Sequence, residues 1–265
     1  MVKLELIEFA DFTHPEEIVA EIFRQNPRMD LPVPLDEIAK AAGIVKIRHQ
    51  PLESLEGGLV ANAEKTEGAI LINSRSLPLQ RQRFTLGHEL GHFMLPRHNH
   101  FMECVASDMS HHKGLTTIEV EANAFAAALL MPQHCFMMHP SYPEIPSCKA
   151  LLSLANTFDV SFKACAYRYS DIFPHPLGIV FSHNKKVSSV RRNRYLGFWL
   201  KTAVGSTLPT HVFQDQVMMP NSVNRGRVPS RTWFEASRSA ALPDTVMEET
   251  FLQDNGYATT LLWFE

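Results

Sequence analysis

Apolar and polar positions recur along the chain in two rhythms, one of period near 3.6 and one of period 2. Ile18, Val19, Ile22 and Phe23 follow an acidic first turn at helical spacing, which predicts a helix over 14–26. Pro32 and Pro34 mark a loop before a second short helix over 35–42, with Gly43 placed to end it. Residues 44–48 read as a strand. Two apolar runs, 58–62 and 68–73, flank a polar loop and predict an antiparallel hairpin. The helical period returns over 78–95, stopped by Pro96, and over 116–131, stopped by Pro132. Two short helices follow, 151–158 and 161–172. Beyond Pro176 the period shortens: 177–181 and 186–190 read as strands around a turn, 232–236 as a third, and 249–253 and 258–264 as a pair around Asp254, Asn255 and Gly256.

The expected fold class is therefore α+β. The 265 residues, 45% hydrophobic and 20% charged, suit a soluble globular chain of more than one domain and exclude wholesale disorder. Three parts are expected: 1–142, a helical pair over 143–173, and a C-terminal α/β domain over 174–265. Charge changes in step: residues 1–172 carry 15 Lys/Arg against 21 Asp/Glu (net −6), and 173–265 carry 10 against 7 (net +3). No global basic excess points to nucleic acid. Lys3, Glu5, Glu8 and Asp11 break up any signal-peptide core, and the longest apolar run, 124–132, is too short to span a bilayer. A cytoplasmic protein is expected. The four cysteines, Cys104, Cys135, Cys148 and Cys165, form no CxxC pair and read as buried, inert thiols, so the 13 histidines are the place to look for metal.

His88-Glu89-Leu90-Gly91-His92 is an HExxH sequence inside the helix predicted over 78–95. Positions i and i+4 share a helix face, so His88 and His92 can present nitrogens to one zinc ion, while Glu89 can reach a water in the open coordination position as general base. Leu86, Leu90, Phe93 and Met94 supply the apolar side. The bland alternatives are a chance match in a histidine-rich chain and a core helix whose histidines are merely hydrogen-bonded. A catalytic zinc needs a third protein ligand. Glu119 and Glu121 compete for that role near the start of the next long helix; Asn123 stands four residues after Glu119 on the same face, and the preference for Glu119 rests partly on the family resemblance given below. A Glu with such a partner resembles the third-ligand helix of thermolysin-like zincins, where the partner steadies the ligands from behind. Ala122, Ala126 and Ala127 would let the two helices approach closely, or simply reflect helix propensity.

The segments 82–92 (QRFTLGHELGH) and 119–132 (EVEANAFAAALLMP) resemble the two signatures of the ImmA/IrrE metallopeptidases, and the hairpin ending at Ile70 to Asn73 also fits. The resemblance covers about residues 15–135, and loosely the helical pair. It implies a zincin-like domain of helices on a small antiparallel sheet. It also implies His88, His92 and Glu119 as ligands of zinc, or of another divalent metal such as manganese, with Glu89 as the base. The activity it implies is cleavage of a helix-turn-helix repressor that switches on a stress, mobile-element or radiation response. Many members carry their own N-terminal helix-turn-helix domain and this sequence does not, so the repressor would be a separate protein. Some relatives carry a sensory GAF domain at the C-terminus, and the α/β pattern over 174–265 is compatible with one.

Other features carry weaker readings. An extended substrate can add to the strand over 68–73 if that strand is an edge. His98, His100, His111, His112, His139 and Tyr142 are candidate oxyanion stabilisers. The pair over 143–173 is helix-turn-helix-like, but Lys163, Tyr167 and Arg168 are few for reading DNA, and packing on the protease domain is the simpler role. Lys185, Lys186, Arg191, Arg192 and Arg194 form a basic cluster, most simply a solvated hairpin, and Phe198, Trp199, Trp263 and Phe264 read as core aromatics. The rival functions are a non-catalytic regulator that binds a repressor or DNA, and a toxin–antitoxin component on the same fold.

Overall fold

The computed structural model describes residues 1–76, 78–98, 101–104, 116–209, 221–235 and 241–265. They divide into two compact units: Met1–Met138 with Ala155–Ser161, and His139–Leu154 with Phe162–Glu265. Among the described residues, no helix is long and apolar enough to cross a membrane.

The first unit contains the predicted elements in order and adds a strand at Phe101–Cys104 and a short helix at Gln133–Met138 that the sequence pattern does not show. Helix α1 (Pro15–Gln25) buries Ile18, Val19, Ile22 and Phe23, and α2 (Leu35–Ala42) buries Ile38 and Ala39. Gly43 closes α2 at a left-handed φ of 117°, where only glycine is unstrained. Strands β1 (Ile44–Gln50), β2 (Gly57–Ala61), β3 (Gly68–Asn73) and β4 (Phe101–Cys104) form one sheet in the order β1-β3-β2-β4. The predicted hairpin is the β2–β3 antiparallel pair; β1 runs parallel to β3 and β4 antiparallel to β2. β3 therefore has neighbours on both sides. The expectation that it offers an edge to substrate is corrected: β1 and β4 are the edges, because chain from beyond the long helix returns to pair with β2. Helix α3 (Leu79–Met94) packs on β2 and β3, α4 (Thr117–Leu130) packs on α3 and α1, and α5 (Gln133–Met138) follows.

Helix α6 (Cys148–Phe158) and helix α7 (Phe162–Ile172) follow, separated by a turn in which Asp159 has φ 49°. Tyr167 and Arg168 are buried on α7, so neither is presented for reading DNA. The second unit is built on a five-stranded antiparallel sheet in the order β6-β5-β9-β8-β7. Its strands are β5 (Leu177–His183), β6 (Lys186–Arg192), β7 (Ser222–Pro229), β8 (Thr245–Leu252) and β9 (Tyr257–Trp263). One face encloses Val180, Val187, Leu196, Trp233, Phe234, Val246 and Leu262. α7 packs on β5 and β6, with the Tyr167 ring stacked on Phe181 at 5.3 Å. Within 174–265 the described residues are strands, loops and short 3-10 turns; α7, ahead of them, supplies a helical layer to this unit.

Two local expectations are corrected here. The third strand lies at 222–229, where Asn224, Arg225 and Arg227 mask it: as an edge strand it is held by main-chain pairing to β8 and needs little apolar patterning. Over 232–235, the described part of the expected third strand at 232–236, the chain instead leaves a 3-10 turn and plugs the core with Trp233 and Phe234, both fully buried. Trp199 is 64% exposed and not a core residue; the Arg192 guanidinium lies 3.6 Å from its ring centroid. In the basic cluster Arg191 pairs with Asp171, and Arg194 lies over Tyr195.

Candidate metal centre

Helix α3 carries His88, Glu89 and His92, all three fully buried. The i, i+4 spacing sets the two imidazoles on one face, with ring centroids 4.7 Å apart and Nε2 atoms 3.0 Å apart. Helix α4 supplies Glu119 from its first turn, where Thr116 caps the helix by accepting the Glu119 N–H and where the helix dipole favours a carboxylate. Glu119 Oε2 lies 3.2 Å from His88 Nε2 and 3.6 Å from His92 Nε2. The helices meet closely because glycine faces alanine. A Cβ on Gly87 would lie 3.4 Å from Ala126, and one on Gly91 would lie 3.1 Å from the Phe125 ring and 3.3 Å from the Ala122 Cα. Of the three alanines singled out in the sequence, Ala122 and Ala126 are fully buried at this contact and Ala127 is only half-buried.

Behind the three groups stands an outer layer. Asn123 Oδ1 is 3.1 Å from His88 Nδ1. His92 Nδ1 is 2.8 Å from His98 Nδ1, and His98 Nε2 is 3.0 Å from Glu121 Oε2. This chain has one consistent proton assignment. Glu121 accepts from His98 Nε2–H, so His98 Nδ1 accepts from His92 Nδ1–H; Asn123 likewise accepts from His88 Nδ1–H. Both rings then turn an Nε2 lone pair inward, toward each other and toward the Glu119 carboxylate. Glu121, the competing third ligand in the sequence, thus belongs to this outer layer: two residues from Glu119, it points along a different helix face. His98 belongs there too, hydrogen-bonded to His92 instead of standing ready to stabilise an oxyanion.

The protonation states suit a cation. Burial lowers the His92 pKa, with Glu119 opposing, and burial lowers that of His98, with Glu121 opposing, so both rings are neutral at pH 7. Burial would raise the Glu119 carboxyl, but hydrogen bonding and positive charge from the adjacent imidazoles, available whenever an Nε2 carries a proton instead of facing a cation, outweigh that and hold it at about 2. The imidazole nitrogens of His88 and His92 and the Glu119 carboxylate are a donor set that fits a divalent ion. Their separations of 3.0, 3.2 and 3.6 Å bracket the edge of about 3.3 Å expected between tetrahedral donors about 2.0 Å from a metal. Glu89 sits beside them with Gly57 against it: a Cβ there would come within 2.6 Å of Glu89 Oε1. Lys65 Nζ donates to the carbonyls of His92 and Leu95, satisfying acceptors at the C-terminal end of α3.

One further donor is present. Cys104, fully buried, places Sγ 3.8 Å from His92 Nε2, and the ligand atoms of His88, His92, Cys104 and Glu119 all lie within 4.8 Å of one another. Sequence reasoning set the cysteines aside for want of a CxxC pair. Of the others, Cys148 and Cys165 are buried and Cys135 is half-buried. His139 and Tyr142 lie in the second unit, where His139 Nδ1 accepts the Ser141 N–H and Tyr142 packs on Tyr169. His100, His111 and His112 fall outside the described residues.

Residues 39–170 match the family described as the IrrE N-terminal-like domain, peptidase M78. The chain is 30% identical over 138 residues to the radiation response metalloprotease IrrE of Deinococcus radiodurans, a match covering 50% of this chain and 39% of that protein. It is 34% identical over 103 residues to the radiation response metalloprotease IrrE of Deinococcus deserti, covering 38% and 36%. The matched stretch thus spans less than two fifths of the length of these curated relatives. A solved structure of a Mycobacterium tuberculosis transcriptional regulator shares the fold, with a TM-score of 0.55 at 16% identity over 94% of this chain and 75% of that one.

Proposed function

The chain belongs to the ImmA/IrrE metallopeptidase family through residues 39–170, and from that premise we propose that it is a zinc-dependent endopeptidase with a regulatory role. The substrate in this reading is a separate helix-turn-helix repressor, whose cleavage releases a stress or mobile-element response. The observation that carries the enzymatic part is the convergence of His88, His92 and Glu119, each backed or flanked by polar partners, next to a buried Glu89. The stress part rests on the relatives, both radiation response metalloproteases. The catalytic role is assigned to residues 1–142. Partner choice or sensing, of the kind a GAF-like module performs, is assigned to 174–265, and the helix-turn-helix-like pair over 143–173 serves as a packing element.

His88, His92 and Glu119 would hold the ion. A bound zinc supplies a Lewis acid for the scissile carbonyl and lowers the pKa of the attacking water. Glu89 accepts that water's proton on its carboxylate and returns it to the departing amine nitrogen. Asn123 and His98 keep both imidazoles in the tautomer that leaves Nε2 inward. Gly57 leaves the space beside Glu89 that a side chain would fill.

Glu89→Gln tests the assignment. Zinc binding is expected to survive, since Glu89 is not one of the ligands, while cleavage falls by about 10²–10⁴-fold, the usual worth of a general base. The readout is mass spectrometry of a repressor encoded beside this chain, co-expressed with wild type or variant. Full cleavage by the variant removes Glu89 from the mechanism.

A further inference from the structure

We propose that Cys104 is a fourth protein ligand of the metal, so that the centre rests closed to water and substrate. The proposal deepens the metallopeptidase reading and rests on it. Three observations carry it.

The first is the donor geometry. Four ligands surround a tetrahedral zinc, and a site with four protein ligands is closed, whereas a catalytic one keeps a position for water. With zinc–sulfur about 2.3 Å and zinc–nitrogen about 2.0 Å, tetrahedral sulfur and nitrogen donors lie about 3.5 Å apart. Cys104 Sγ lies 3.8 Å from His92 Nε2, and the whole four-atom set falls within 4.8 Å. Toward His92 the thiol is within a few tenths of an ångström of that spacing, and a shift of about 1 Å completes the figure begun by the other three.

The second is burial. Along β4, Phe101 and Glu103 are exposed and Met102 is half-buried, and only Cys104 is fully enclosed. The strand delivers that one side chain to the centre.

The third is register. β4 pairs antiparallel with β2, setting Cys104 opposite Gly57, the residue that abuts Glu89; the Cys104 carbonyl accepts the Glu56 N–H at 2.9 Å. β4 thus takes the main-chain positions on β2 that an extended peptide would need in order to lie across the centre. Occupation of the sheet edge and of the fourth coordination position are then one device. On binding the ion the thiol loses its proton to solvent and Sγ donates an electron pair. Opening requires the thiolate to leave and β4 to lift from β2.

The test uses the full chain loaded with cobalt(II) in place of zinc. Wild type is expected to show the visible bands of a four-coordinate ion together with a near-ultraviolet thiolate-to-cobalt charge-transfer band. Cys104→Ser loses the charge-transfer band and keeps cobalt. Added azide leaves the wild-type visible bands unchanged and alters those of the variant, whose fourth position is open. Visible bands without charge transfer in wild type overturn the proposal and leave the three-ligand metallopeptidase reading intact, whether or not the variant folds. A charge-transfer band that persists in Cys104→Ser, or wild-type bands that shift with azide, also overturn it. Failure of wild type to bind cobalt at all overturns both readings.

Discussion

At the scale of single residues, the centre depends on side chains that touch no ion. A histidine has two nitrogens, and which one faces inward is set by what the other one meets. Asn123 settles this for His88, and His98, itself held by Glu121, settles it for His92. Truncating Asn123 or His98 to Ala is expected to weaken zinc binding by about 10–100-fold, the usual cost of losing such a partner. Competition against a chromophoric chelator measures it. Unchanged affinity in both variants would mean that the helix backbone alone fixes the rings. HExxH is a local pattern, so the sequence shows His88, Glu89 and His92 directly, and the i+4 relation of Glu119 and Asn123 puts those two on a shared face. His98 offers no such signal: it lies past Pro96, and only the turn of the chain there brings it behind His92.

At the scale of elements, the centre exists because α3 and α4 lie close enough for Glu119 to reach both histidines. Gly91 sits where a Cβ would lie 3.1–3.3 Å from Phe125 and Ala122, whereas at Gly87 the nearest contact is an ordinary 3.4 Å. Gly91→Ala is therefore expected to destabilise by about 1–3 kcal/mol through overpacking, less whatever helix propensity returns. Gly87→Ala is expected to be neutral or to stabilise by up to about 1 kcal/mol, since propensity alone operates there. Thermal unfolding of the metal-free chain compares them, and equal effects would show that the interface is not the constraint. The alanines of α4 were visible in the sequence as small residues. Their glycine partners on α3 were not singled out, because residues 31 (Gly91 and Ala122) or 39 (Gly87 and Ala126) positions apart show no sequence relation until the helices pack.

At the scale of the whole molecule, every residue of the candidate centre belongs to the first unit. A ligand that binds only the folded form stabilises it by mass action, by about 2.7 kcal/mol at 100 times Kd. Zinc is thus expected to slow hydrogen exchange at amides of α3 and α4 while leaving β5–β9 unchanged, and a chelator is expected to reverse it. Mass-spectrometric exchange with and without zinc checks this. Equal protection of the second sheet would show that its stability is coupled to the metal. The second sheet also shows where strand patterning misleads. β8 and β9 announce themselves through apolar residues around a turn, and β7 does not, because an edge strand needs only main-chain partners.

What the sequence determined by itself is whatever repeats over a few residues: the helices, the β2–β3 hairpin, the helix face bearing His88 and His92, and the family signatures that point to a metal. Helical and strand periods are local consequences of backbone geometry and survive without knowledge of the fold. The tertiary structure decided which groups from distant segments meet. Whether Glu119 or Glu121 faces the histidines depends on how α4 is rotated against α3. That β3 is an inner strand depends on β4 returning to pair with β2. Cys104 reaches the centre only through the register of that return, because a strand sends alternate side chains to opposite faces and a one-residue slip would turn the thiol away.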